Sequence, residues 1–140
     1  MSKAPTWFLI IGIIALIWNI IGAAAVIVNF MVTPEQIAAL PIEQQQMYSD
    51  TPVWGSYASL LAVLAGALAC IGLLVKKAWA YPLFIVSFLA LVIQDIAIFI
   101  IVDAVSVLGV GVLVMQSIVA LIAIALIYLA FKAKNKNWIA

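Results

Sequence analysis

Four long apolar runs dominate the chain, and the segments between and around them hold nearly all of its charge. The runs cover about residues 7–29, 53–75, 79–102 and 107–131, with an intervening polar stretch at about 30–52. At about 1.5 Å of rise per residue, each run crosses a hydrocarbon core of about 30 Å. Lipid offers no partner to backbone polar groups, so each run is predicted to be a helix that bonds itself. Asn19 interrupts the first run, and Pro82 falls in the first turn of the third, where a missing N–H costs little. Aromatic residues mark the run ends: Trp7, Trp79, Tyr81, Tyr128 and Phe131 on one side, Phe30, Trp54 and Tyr57 on the other.

Charge turns these runs into a topology. All six basic residues are lysines, and they occupy three places: Lys3, then Lys76 and Lys77, then Lys132, Lys134 and Lys136. Short lysine-bearing segments beside spans stay cytoplasmic, so both termini and the middle turn are expected inside. Glu35, Glu43, Asp50 and Asp103 then fall in the two external connections, and only Asp95 lies within an apolar run. The predicted fold is an all-α integral membrane domain, residues 1–140. Its four transmembrane helices form a left-handed antiparallel bundle, N-in and C-in. The second and third connections are short, which places sequential spans side by side.

The external stretch carries its own helix signals. Thr33-Pro34-Glu35-Gln36 reads as an N-cap, a proline at the first helical position and a glutamine able to close a capping box. Pro41 starts another turn containing Gln44, Gln45 and Gln46, and Thr51-Pro52 repeats the cap-plus-proline device before the second span. One or two short interfacial helices are expected. A connector packed over the bundle is the simpler role, and a lid that gates a solute is the alternative.

Composition narrows the function classes. With 69% hydrophobic and 8% charged residues, the chain belongs to the membrane class. A net charge of +1 speaks against a nucleic-acid surface. The first run is too long for the apolar region of a signal peptide. The single cysteine, Cys70, cannot form an intrachain disulfide and reads as packing. There is no histidine or arginine, no nucleophile beside a base and no metal-ligand spacing, so neither an enzyme nor a cofactor is expected.

Small and polar residues recur at helical spacing in every span. They are Gly12, Ala15, Asn19, Gly22 and Asn29 in the first, and Gly55, Ser59, Ala62, Gly66 and Cys70 in the second. Ser87, Ala90 and Gln94 follow in the third, and Gly109, Gln116, Ala120 and Ala123 in the fourth. Such stripes let membrane helices approach closely and bond across the contact, so they are expected to converge. For the Gly and Ala positions packing is the natural role.

Asp95, Gln94, Gln116, Asn19 and the neighbouring Trp18 are the candidate solute or proton site. Asp95 lies about 10 Å below the external end of its helix, Gln116 at a similar depth, and Asn19 nearer the middle. An ionised carboxylate there is costly, so Asp95 is expected to be protonated, bonded by Gln116 and Asn19, or reached by water. That would suit proton coupling or binding of a polar or cationic solute. The alternative is a carboxyl that snorkels to the outer interface or serves as structural glue.

One resemblance spans most of the chain. Leu16-Ile17-Trp18-Asn19-Ile20-Ile21-Gly22, Thr33-Pro34-Glu35, Ala38-Ala39-Leu40-Pro41, Tyr48 and Pro52-Val53-Trp54 resemble a group of short bacterial inner-membrane proteins. Gly66-Ala67-Leu68-Ala69-Cys70-Ile71-Gly72-Leu73-Leu74 leading to Lys76-Lys77 is similar to the same group. Its members have four spans and are commonly labelled "sugar transporter". The resemblance implies a solute class but brings no binding residues. Two functions therefore stand: a carrier of a small polar solute, or an accessory subunit that docks a partner. A bundle this small is expected to be filled by its own side chains, which would place any path between protomers of a homodimer or beside a partner membrane protein.

Overall fold

The computed structural model describes residues 3–140, and among them every regular element is helical. Helix α1 covers Thr6–Phe30, α4 Val53–Leu74 and α7 Val110–Asn135; α5, Ala80–Ile96, continues through a π-helical turn at Ala97–Ile101. These four are long and apolar enough to cross a membrane. Short helices α2 (Pro34–Ala38) and α3 (Ile42–Asp50) follow α1, and α6 (Ala104–Leu108) precedes α7. The third run thus ends in a wider turn, in which the Val102 N–H reaches the Ala97 carbonyl at 3.0 Å.

Two expected boundaries move. Val107 belongs to α6 rather than to the fourth span. Gly109 breaks the chain there with φ 86°, a left-handed value that suits glycine. Gly109 is therefore a turn and not part of a packing stripe. At the other end α7 runs past Phe131 to Asn135, where Lys132 and Lys134 sit in its last turn.

Helix α1 packs on α4, α4 on α5, and α5 on α7, while α1 and α7 share few contacts. The central α4 is the most buried span, and α7 the least. Small residues set these approaches. A Cβ on Gly12 would meet the Leu74 side chain at 3.0 Å, one on Gly22 would meet Val63 at 3.3 Å, and one on Gly55 would meet Ala97 at 2.6 Å. The faces turned away carry large apolar side chains such as Ile14, Ile21 and Leu121, each more than half exposed. Water would oppose that exposure and lipid tails accept it. The chain is a multi-pass membrane protein by this pattern.

The loop after α1 matches its sequence signals in part. Thr33 Oγ accepts the Gln36 N–H at 3.2 Å and Gln36 Oε1 accepts the Thr33 N–H at 3.0 Å, a complete capping box. The Thr51 hydroxyl instead donates to the Met47 carbonyl at 2.6 Å, so it closes α3 and does not cap α4. Asn29, expected on a packing stripe, is exposed and accepts the Tyr48 hydroxyl at 3.0 Å, tying α3 to the end of α1.

The lysine-bearing end is the better packed. Helices α4 and α7 both finish in a Schellman turn with a left-handed residue, Lys76 and Asn137. Lys77 N–H reaches the Gly72 carbonyl at 2.8 Å, and Trp138 N–H reaches the Ala133 carbonyl at 2.8 Å. Beyond α7 the chain folds back. The Ala140 N–H donates to the Lys76 carbonyl at 3.1 Å, and the Ala78 N–H donates to the Ala140 carbonyl at 3.0 Å. This clip buries Trp138 and Ile139 against Phe8, Leu73, Leu129 and Ala130. The main core thus includes a tail that lies beyond the last apolar run.

Candidate functional site

Four of the five candidate residues, Trp18, Asn19, Gln94 and Gln116, line one cavity of about 510 Å³ between the four spans. Helix α4 contributes Ser59, Ala62 and Gly66, α5 contributes Phe84, Ser87 and Leu91, and α7 contributes Met115, Val119 and Leu126. These positions cluster around the middle of each span, which sets the cavity near the midplane of a bilayer crossed by all four. The bundle is therefore not filled by its own side chains. Ile21 and Met115 also line it although they are 64% and 54% exposed, so they stand at its mouth between α1 and α7. That mouth follows from the sparse contact between these two helices.

The polar groups are held by their helices in specific ways. Asn19 Nδ2 donates to the Ala15 carbonyl at 2.9 Å and to Cys70 Sγ at 3.6 Å, which anchors α1 on α4. Its Oδ1 lies directly over Gly66, in space that only a glycine leaves open. Ser87 Oγ donates across the α4–α5 contact to the Ala62 carbonyl at 2.6 Å, and Ser59 Oγ bonds back to the Gly55 carbonyl at 3.2 Å. Gln94 Nε2 donates to Gln116 Oε1 at 3.4 Å, a long bond between α5 and α7. The Gln94 carbonyl oxygen and the Gln116 amide nitrogen keep further hydrogen-bonding capacity.

Asp95 stands apart from this group. It is absent from the cavity lining, because successive helical residues point about 100° apart and Gln94 takes the inward direction. Of the three ways expected to accommodate it, bonding by Gln116 and Asn19 is not the one taken: Gln116 pairs with Gln94, and Asn19 with Ala15 and Cys70. Its Oδ1 is shielded from solvent and has no hydrogen-bond partner. A carboxyl that merely snorkels would expose both oxygens.

The lining contains no acidic or basic side chain, so the cavity offers donors and acceptors without net charge. Its volume falls within the range of about 300–1,000 Å³ usual for small-molecule sites. Ser59 and Ser87 belong to it as well, although periodicity alone places them on packing stripes. Their hydroxyls are the signal that separates them from Gly and Ala on the same stripes. Among the described residues no three cysteine or acidic side chains come together to hold a metal ion. No family model, curated protein or solved structure matches this chain.

Proposed function

We propose that this is a small inner-membrane protein of bacterial type that carries or gates a small, uncharged polar solute through the cavity between its four spans. The single observation that carries the reading is the convergence of Asn19, Gln94 and Gln116, from three helices, on one uncharged midplane cavity beside Trp18. Amide and hydroxyl groups suit hydroxyl- or carbonyl-bearing molecules, and an aromatic face beside them suits a sugar-like ring, the solute class that the resemblance implies. The cavity carries no counter-charge for a cation or an anion. Asp95, off the lining, is assigned to coupling and not to solute contact.

An antiparallel, N-in and C-in bundle accompanies this reading. Gly12 meets Leu74 while Gly22 meets Val63, so contacts climb α1 as they descend α4. The lysines gather at one end, as Lys132 lies over Trp7, Lys134 lies over Tyr81 and the Ala140 N–H bonds the Lys76 carbonyl. Cysteine labelling at Gln45 from outside intact cells, with position 134 protected, is the expected pattern.

Uptake into proteoliposomes of a panel of labelled monosaccharides and polyols tests the function. Wild-type protein should exceed empty vesicles for at least one of them. Gln94→Leu with Gln116→Leu should remove that excess while leaving helicity intact. Uptake indistinguishable from empty vesicles across the panel, together with a stoichiometric membrane partner captured by cross-linking, would instead give the protein an accessory role.

A further inference from the structure

A second cavity, a shallow hollow of about 560 Å³ that is largely open to its surroundings, lies at the lysine end between the start of α1 and the end of α7. Lys3, Lys132 and Lys136 line it together with Thr6, Trp7 and Trp138. Lys132 lies in the last turn of α7 and Lys136 is the residue that caps it, with the Lys136 N–H on the Lys132 carbonyl at 2.9 Å, so the two stand on the same side of the helix end. No acidic side chain lines the cavity, and the loop acids belong to the opposite end of the bundle. Three like charges are thus brought to one concave surface with no side-chain counter-ion beside them.

The walls are preformed. The Trp7 and Trp138 rings meet edge to face with centroids 5.6 Å apart, and Trp138 also packs on Phe8 at 5.4 Å. The Lys132 ammonium lies 5.6 Å from the Trp7 ring centroid, and the Lys136 ammonium 6.0 Å from that of Trp138. Cation–π contact positions an ammonium without using its N–H donors, so both remain available to an oxyanion. Holding mutually repelling ammoniums around one concavity favours an anion with several oxygens. Trp7, 45% exposed, puts the cavity at the level where interfacial aromatics meet headgroups.

We propose that this cavity binds a phosphate group, presented as the headgroup phosphodiester of an anionic phospholipid, with the acyl chains lying along α1 and α7. Basic pockets between spans are suited to such headgroups by charge and by depth. The lipid would brace the contact between these two helices at the one end where they meet, leaving the mouth of the central cavity open.

Native mass spectrometry of the full chain in mild detergent, titrated with phosphatidylglycerol or phosphatidylcholine, tests the proposal. Saturable retention of phosphatidylglycerol over phosphatidylcholine is the expected result. The triple variant Lys3→Gln, Lys132→Gln, Lys136→Gln should lose affinity by about tenfold or more, against about threefold or less for Lys76→Gln, Lys77→Gln, Lys134→Gln, which removes equal charge. Unchanged helicity and melting temperature establish that both variants fold. Equal losses in the two triples, or equal retention of the two lipids, would overturn the site. Displacement of phosphatidylglycerol by millimolar inorganic phosphate would assign the cavity to the free anion and overturn the lipid.

Discussion

Replacing Gly66 with alanine probes the closest approach at any glycine of the chain. The added methyl would run into Asn19 Oδ1, with Asn19 Cγ at 3.0 Å and Ser87 Oγ at 3.2 Å. The serine can yield by a few tenths of an ångström, but the asparagine must leave. Its departure breaks the Nδ2 bonds to the Ala15 carbonyl and Cys70 Sγ. Overpacking of a tight contact costs about 1–3 kcal/mol. An interhelical hydrogen bond in a membrane adds about 0.6 kcal/mol. Against these, alanine favours a helix over glycine by about 0.8–1 kcal/mol. The net expectation for Gly66→Ala is a destabilisation of about 1–2 kcal/mol.

In an Asn19→Ala background the obstruction is gone and propensity decides, so the same substitution should be neutral or stabilise by up to about 1 kcal/mol. The coupling between the two positions is then about 2 kcal/mol, well above the roughly 0.5 kcal/mol scatter of independent sites. Reversible unfolding of the four proteins in mixed micelles, followed by loss of helicity, measures it. A cost for Gly66→Ala that agrees within about 0.5 kcal/mol in the two backgrounds would refute the contact.

Asp95→Leu should leave stability unchanged or raise it by about 1 kcal/mol in the same assay, because Oδ1 has no partner to lose. A clear destabilisation would mean that the carboxyl holds a bond across the bundle. Trp138→Ala should cost about 3 kcal/mol, as the ring is buried beyond the last span against Phe8; a midpoint within error of wild type would show that the tail does not belong to the core. Thr33→Ala should weaken α2 locally by about 1 kcal/mol. Amide exchange in residues 34–38 should quicken while the global midpoint stays in place, and unchanged exchange there would count against the capping box.

Much of the fold is legible in the chain because each signal is local. Run length against bilayer thickness selects the four spanning helices, and no tertiary contact is needed to see them. The Thr33 and Gln36 capping box closes within four residues, so three-residue spacing is enough to predict it. Thr51 shows the limit of the same logic. A hydroxyl before a proline can serve the helix behind it as readily as the one ahead, and here it turns to the Met47 carbonyl. The burial of Trp138 and Ile139 is less accessible still, since it depends on a backbone clip from Ala140 to Lys76 and Ala78 in the α4–α5 turn, far away in sequence.

The sequence by itself determined that this chain lies in a membrane, how many times it can cross, and which positions along each helix are small or polar. Only the tertiary structure decided which polar residues meet. Periodicity fixes the angle between Gln94 and Asp95 on their helix, but not the rotation of that helix about its axis. In a soluble protein the contrast between an apolar core and water would set that rotation, whereas here both the lipid side and the bundle side are apolar. The choice falls to a few close approaches, Asn19 over Gly66 and Ala97 against Gly55. Those contacts turn Gln94 toward Gln116 and leave Asp95 outside the cavity.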